Sequence, residues 1–364
     1  MNLKEIYDQN FFASLAKSLG KFVAKFDEKK FFALIYDENW EKRELKQRMS
    51  HVSHVLDQVL TKNYQENIEI LKKVAADVEI TSKHPSLSLV IFANYVEIFG
   101  LDDFETSINA LEFFTPFGSS EFAVRPFFVK YPQETLKYFL QWSKSDNYHV
   151  RRLASEGSRP RLPWGIALQS LKKDPSPIIP ILENLKDDES EYVRRSVANN
   201  LNDICKDNPE IALDLAKKWL KNPAKNTQKL VKHGLRTLLK SSNSEALKLF
   251  NYVNVKNPVE LFDLQNFTIN IGENLDFKFK LRLENEAKLR IEYAIYFLRK
   301  DQKFSKKVFQ ITEKNFEKGD YFFQKKHSFR PITTRKYNVG KHKISLIING
   351  DAVHSKDFLL LSAS

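Results

Sequence analysis

Three stretches of this 364-residue chain carry one pattern. Residues 148–164 read Tyr-His-Val-Arg-Arg-Leu-Ala-Ser-Glu-Gly-Ser-Arg-Pro-Arg-Leu-Pro-Trp. Residues 192–203 read Tyr-Val-Arg-Arg-Ser-Val-Ala-Asn-Asn-Leu-Asn-Asp, and residues 230–240 read Leu-Val-Lys-His-Gly-Leu-Arg-Thr-Leu-Leu-Lys. In each, apolar residues recur at helical spacing: Val150, Leu153 and Ala154; Val193, Val197 and Leu201; Val231, Leu235, Leu238 and Leu239. Val150, Val193 and Val231 lie 43 and 38 positions apart. A period near 40 residues is that of a two-helix unit, which cannot bury its apolar face alone and must stack on its neighbours. Each copy also carries basic residues on one face. Stacking would line them along a concave surface.

The first copy is the densest. Asp146 is a suitable N-cap. Arg152, Glu156 and Arg159 fall at i, i+4 and i+7 and so share a face distinct from the apolar one. Gly157 and Pro160 should end the helix, and Pro163-Trp164 should open the next element. Four arginines, a carboxylate and a tryptophan crowd one helix end. Taken alone, Glu156 reads as the i,i+4 salt-bridge partner of Arg152.

The run Val150–Trp164 resembles the signature of AlkC, a bacterial family of DNA glycosylases built from HEAT-like repeats. Tyr192–Asp203 and Ser120-Glu-Phe-Ala-Val-Arg-Pro126 resemble two further motifs of that family. The resemblance covers about residues 1–250, and the long motif is specific. It implies cleavage of the N-glycosidic bond of alkylated bases, with Glu121, Glu156 and Trp164 around the damaged nucleotide. The C-terminal third resembles, by strand pattern alone, the immunoglobulin-like domain carried by one branch of the family.

Each of these residues also has a plainer reading. Trp164 could be a core aromatic at the start of a helix. Glu121 could be a helix N-terminal charge behind the caps Ser119 and Ser120. Asp203 joins the candidate catalytic set as a contact to the lesion strand, or it hydrogen-bonds between repeats; the polar run Asn199, Asn200, Asn202 needs one explanation or the other.

The rest of the chain fits this organisation. Residues 3–145 read as successive amphipathic helices, at about 42–61, 65–80, 86–99, 105–114 and 132–143, punctuated by Pro85, Pro116, Pro126 and Pro132. Beyond residue 250 the period changes to two: Phe277, Phe279, Leu281 and Leu283 alternate with polar residues, as do Leu289, Ile291, Tyr293, Ile295 and Phe297, and Ile344, Leu346 and Ile348. Asn349-Gly350 signals a type I′ hairpin. Seven or eight short strands are expected, in a β-sandwich. The expected fold is a HEAT-like-repeat α-solenoid over residues 1–253, followed by an immunoglobulin-like β-sandwich over 254–364.

Charge points to a partner. Of the net +12, residues 1–148 contribute −3, residues 149–250 contribute +7 and residues 251–364 contribute +8. Such asymmetry suits a polyanion. Candidate phosphate contacts are Arg152, Arg159, Arg161, Arg194, Arg195, Lys232, His233 and Arg236. The β domain is expected to contact DNA as well.

Other classes lack support. The one cysteine, Cys205, cannot form an internal disulfide and fits a reducing, cytoplasmic setting. The charged start Met1–Asp8 is no signal peptide, and no stretch is long enough to span a membrane. His51 and His54 have metal-like spacing without further ligands, so no metal is expected. Phosphate-binding and dinucleotide glycine motifs and the Gly-x-Ser-x-Gly elbow are missing, and no cofactor is expected. The expected protein is a monomeric, monofunctional glycosylase acting on cationic alkylated bases in double-stranded DNA, such as N3-methyladenine and N3-methylcytosine. The alternative is a non-catalytic HEAT-repeat scaffold that binds DNA or protein.

Overall fold

A computed structural model of the protein describes residues 3–81, 86–221, 224–252, 255, 258–332 and 335–363. By its contacts the chain divides into two units, Met1–Gly234 and Leu235–Ser364. The expected change of domain at residues 253 and 254 lies outside the described residues, as does Pro85. The last helices, Arg236–Lys240 and Ser244–Leu249, group with the β unit.

The first unit is helical. Its helices start where short polar side chains satisfy the open amides of a first turn: Asp8 accepts from Phe11, Asp27 from Lys30 and Asp103 from Thr106. Proline opens the helices Pro132–Trp142 and Pro209–Trp219, where no amide is needed. The expected spans are matched by Leu45–Val59, Tyr64–Thr81, Val90–Phe99, Phe104–Phe114 and Pro132–Trp142.

The repeated pattern falls on the helices Tyr148–Gly157, Glu191–Asp207 and Lys225–Gly234. Val150, Leu153 and Ala154 on the first, Val193, Val197 and Leu201 on the second, and Leu230 and Val231 on the third are all buried. Two local expectations change. The cap of the first helix is Asn147, whose side chain accepts from His149 at 2.9 Å, and not Asp146; both are good caps, and the chain uses the one nearer the apolar stripe. Residues 230–240 are two helices, broken at Gly234-Leu235, where the backbone entropy of glycine weakens a continuous helix.

The second unit is a sandwich of eight strands among the described residues: β1 Val259–Leu264, β2 Thr268–Asn270, β3 Asn274–Leu283, β4 Ala287–Leu298, β5 Phe304–Phe316, β6 Gly319–Ser328, β7 Gly340–Ile348 and β8 Asp351–Leu361. They form sheets in the orders β1-β3-β6 and β2-β8-β7-β4-β5. The alternation in β3 puts Leu275, Phe277, Phe279, Leu281 and Leu283 into the core against Leu289, Ile291, Ile295, Ile344 and Leu346. Asn349 (φ 45°) and Gly350 (φ 92°) turn β7 into β8 with two positive φ angles, as a type I′ turn requires.

β4 is buried on both faces. Arg290 and Glu292 point away from the sandwich core yet are 5% and 1% exposed. The segment through Tyr252 packs near that end of the sheet: Lys288 donates to the Phe250 carbonyl at 2.8 Å, and Ser242 donates to Gly350. The buried guanidinium is paired through its two terminal nitrogens with Glu292 at 2.6 Å and Glu313 at 3.1 Å.

His327 is a weak point of this core. It is enclosed by Tyr293, Phe297, Phe309 and Phe329, and its Nδ1 bonds the Tyr293 hydroxyl at 3.0 Å. Burial, with Arg335 and Lys307 adding repulsion, pushes its pKa down to about 4. The unfolded chain therefore binds more protons between that value and about 6.5, the ordinary value for histidine, and stability must fall as pH drops through this window. A cost of about 2–3 kcal/mol at pH 4 is expected. Denaturant melts between pH 7 and pH 4 should show it, and His327→Gln should flatten the dependence.

Candidate active site

The Tyr148–Gly157 helix presents two faces. Its apolar face enters the core. Its other face meets the Glu191–Asp207 helix and the segment before the Val124–Lys130 helix, and there the charged residues gather.

They form an alternating ladder. Glu121 accepts from Arg152 and, at 2.7 Å, from the Ser119 hydroxyl. Arg152 also donates to Ser119 at 2.7 Å and lies 3.6 Å from Glu156. Glu156 Oε1 accepts from Arg159 at 2.6 Å, and Oε2 accepts from the Ser196 hydroxyl at 2.6 Å. Arg159 donates onward through Nε to Asp203 at 2.8 Å, and Lys206 donates to the other Asp203 oxygen at 2.8 Å. Burial alone would make both guanidiniums easier to deprotonate. The carboxylates outweigh it, Glu156 and Glu121 at Arg152 and Glu156 and Asp203 at Arg159, so both cations are held above the ordinary arginine value.

This geometry sorts the sequence readings. Glu156 does more than pair with Arg152: its short partners are Arg159 and Ser196, and it is 5% exposed. Glu121 is not a first-turn helix charge behind serine caps. The helix begins at Val124 with Ala123 at its N-cap. Ser119 gives its hydroxyl proton to the Glu121 carboxylate while accepting from the Glu121 amide at 3.4 Å, and Ser120 donates to Leu111. One Glu121 oxygen, Oε1, accepts no hydrogen bond among the described residues, which makes Glu121 the more open carboxylate. Asp203 has no solvent access and bonds across repeats, the second of the two roles open to it. The asparagines do similar work, Asn200 donating to the Ser155 carbonyl at 2.9 Å.

Trp164 neither opens a helix nor enters the core. It is 60% exposed, in a turn with φ 66°, and the next helix starts only at Gln169. A tryptophan in that left-handed region is strained, and strain of this kind persists only where the surroundings impose it. Lys46 donates to the Trp164 carbonyl at 2.7 Å while its Nζ sits 5.3 Å over the ring of Phe122, beside Glu121. Arg125, wholly buried, donates to Ile166 O at 2.6 Å and to Gly157 O at 2.9 Å. The loop carrying Trp164 is thus tied back to the segments carrying Glu121 and Glu156. Gly157 is needed at that junction, since a Cβ there would lie 2.7 Å from Val124.

The expected phosphate contacts divide. Arg159 is buried and Arg152 partly buried in the ladder, rather than on a repeat edge. Arg161 pairs with Asp207 at 2.5 Å, and Arg194 donates to the carbonyls of Asp188 and Glu189. Arg194, Arg195 and His233 line a cleft of about 620 Å³ with Glu191, Asn226 and Lys229, between the Glu191–Asp207 and Lys225–Gly234 helices. Lys232 lies on the second of these helices; Arg236 belongs to the other unit.

Sequence reasoning missed Ser196, Arg125, Lys46 and Lys229. A signal existed for Ser196. Carried back by the 43-residue repeat spacing, its position is that of buried Leu153, so a hydroxyl there is out of pattern. Among the described residues there is no cluster able to hold a metal ion and no helix long and apolar enough to cross a membrane. His51 bonds the carbonyls of Leu34 and Ile35, and His54 that of Ser50. Cys205 is a buried helical residue.

A HEAT-like solenoid with a charged ladder at one repeat junction, joined to an immunoglobulin-like sandwich, defines the class. Residues 178–207 match the HEAT repeat model, and residues 258–362 match the C-terminal Ig-like domain of the uncharacterised protein YhaZ. The chain is 43% identical over 360 residues to the uncharacterized protein YhaZ of Bacillus subtilis (strain 168), covering 98% of this chain and 99% of that one. It is also similar to the alkylpurine DNA glycosylase AlkC of Pseudomonas fluorescens, solved bound to DNA containing an abasic site analog. That match has 35% identity and a TM-score of 0.91 over 99% of both chains. The chain belongs to the AlkC/YhaZ family, as its motifs imply.

Proposed function

We propose that this protein is a DNA-repair glycosylase that hydrolyses the N-glycosidic bond of cationic alkylated bases, N3-methyladenine and N3-methylcytosine among them. The observation that carries this reading is the Glu121–Arg152–Glu156–Arg159 ladder, with the loop of an exposed, strained Trp164 tied to its segments by Arg125 and Lys46, in a chain similar along its whole length to an alkylpurine DNA glycosylase.

The residues suit the chemistry. A base alkylated on a ring nitrogen already carries positive charge. When the C1′–N bond breaks, the electron pair leaves with the base and neutralises it, and the sugar becomes oxocarbenium-like. Water then adds to C1′ and loses a proton. The Trp164 ring face attracts the cationic base by about 0.5–2 kcal/mol. Glu121, with one open oxygen, and Glu156 behind it supply negative potential where the sugar cation develops. Arg152 and Arg159 hold these carboxylates, while Arg195, Lys229 and His233 in the cleft, with Arg161, Arg194, Lys232 and Arg236, are the phosphate contacts. The reduced Cys205 and this substrate suit the cytoplasm. Chromatographic detection of free base from an alkylated duplex tests the reading. Tight DNA binding with no release of any alkylated base would leave the scaffold alternative standing.

The β unit, in this reading, contributes phosphate contacts from its excess of positive charge. A fragment ending at Gly234 is expected to fold, because the helical unit has its own core. Cutting there, rather than near residue 254, avoids stranding a segment that packs on the β sheet. The fragment should bind DNA more weakly, with a shallower fall of log K against log salt concentration. An unchanged slope in a binding titration would show that the β unit touches no phosphate.

A further inference from the structure

We infer that Arg125 is a positioning residue that sets the spacing between Glu156 and Trp164, an inference that rests on the glycosylase reading. Its guanidinium is wholly buried on the Val124–Lys130 helix. Nη1 donates to the carbonyl of Gly157, the residue after Glu156, and Nε donates to the carbonyl of Ile166, two residues after Trp164. One rigid planar group therefore holds both ends of the loop that separates the carboxylate from the aromatic.

Only arginine does this. Its donors leave a fixed fork in set directions, whereas the single ammonium of lysine on a flexible stem serves one carbonyl well and the other poorly. A buried cation is an expensive way to hold a loop that apolar packing could hold. Burial, with Arg159 nearby, pulls Arg125 down to about 10, opposed by the charges of Asp203, Glu156 and Glu121. The third nitrogen, Nη2, is buried without a hydrogen-bond partner among the described residues. What the guanidinium supplies in return is geometry. Trp164 sits at φ 66° in a turn that Gly165 N–H closes onto the Leu162 carbonyl at 3.1 Å, and that turn is anchored to the rest of the unit by Lys46 at the Trp164 carbonyl and by Arg125 at the Ile166 carbonyl. The intervening Gly165 packs against the arginine, and a Cβ there would lie 3.3 Å from Arg125 Cδ and Nε and 3.1 Å from Leu162.

A residue that acts through Trp164 must lose its effect when Trp164 is gone. The test is a double-mutant cycle in the full-length protein, read as single-turnover release of N3-methyladenine from a duplex, with duplex affinity and denaturant midpoint measured alongside. Arg125→Lys is expected to slow release on the order of 10- to 100-fold, the scale of a small misplacement of a reacting group, with duplex affinity within about threefold of the parent. In a Trp164→Ala background the same change should cost less than about threefold, since coupled residues are not additive. Gly165→Ala, which leaves Arg125 in place but presses on it, should show the same dependence on Trp164, and it carries the test if Arg125→Lys folds poorly. Release by Arg125→Lys at the parent rate, or equal losses with and without Trp164, overturns the inference and leaves the glycosylase reading intact. A parent protein that releases no alkylated base overturns both.

Discussion

Glu156→Gln is expected to slow base release by about 10²–10³-fold, the usual cost of removing one preorganised electrostatic stabiliser, while duplex affinity stays near that of the parent. The structure makes this a clean substitution. The carboxylate meets a donor on each oxygen, Arg159 at 2.6 Å and Ser196 at 2.6 Å. A glutamine can keep its carbonyl on Arg159, which only donates, and turn its amide toward Ser196, which can accept. The Ser196 hydroxyl then has Ser155 Oγ, 3.0 Å away, for its own proton. Neither arginine is stranded, because Arg159 retains Asp203 and Arg152 retains Glu121. The loss of stability should therefore stay near about 1–2 kcal/mol, the scale of one weakened charged hydrogen bond. Single-turnover kinetics with a matched denaturant melt separate the two effects. Release by the variant at the parent rate would remove Glu156 from the chemistry and leave it a structural role in the ladder.

Where the sequence could be read, local spacing carried the information. Arg152 and Glu156 lie on one helical face by arithmetic, and the ladder uses that face; Arg159, expected on it too, falls beyond the helix end at Gly157 and reaches Glu156 from the turn that follows. The alternation in β3 reports a strand with one buried side, and Asn349-Gly350 reports its hairpin because both residues tolerate positive φ. What could not be read depends on distant partners. Arg290 and Glu292 look like solvent-facing positions of β4, yet both are buried, a consequence of tertiary packing that a period of two cannot carry. Trp164 looks like the start of a helix because Pro163 precedes it. It sits instead in a β-turn that Gly165 N–H closes onto the Leu162 carbonyl at 3.1 Å, with Pro163 at its second position, and Lys46, 118 residues away, and Arg125, 41 residues from Ile166, tie that turn down. Arg159 resembled a surface phosphate contact because arginines at repeat edges usually are. Glu156 at 2.6 Å and Asp203, arriving from the next repeat, at 2.8 Å hold it inward.

The lesion panel should divide by charge. N3-methyladenine and N3-methylcytosine should be released efficiently, and uracil and 8-oxoguanine little or not at all. The reason lies in what surrounds the carboxylates. A neutral base such as uracil or hypoxanthine needs protonation or strong hydrogen bonding as it leaves. Beside Glu156 stand Arg152, Arg159 and the hydroxyl of Ser196; beside Glu121 stand Arg152 and Ser119. Arginines held above their ordinary pKa do not give up protons at working pH, and a serine hydroxyl is no stronger an acid than water. Tyr192, whose ring lies under Arg152, has its pKa raised chiefly by burial, so among the described residues at the carboxylates none is a general acid of useful strength. A cationic base does not need one, since it departs neutral. The groups that are present suit that cation: an exposed indole for the base in the ground state, and carboxylates for the sugar as charge moves onto it. The flanking arginines, already committed to carboxylates, leave that negative potential facing the sugar. One set of duplexes, each with a single lesion and assayed for free base by chromatography, tests the division. Efficient uracil release without N3-methyladenine release would refute this mechanism even though it would prove the protein a glycosylase.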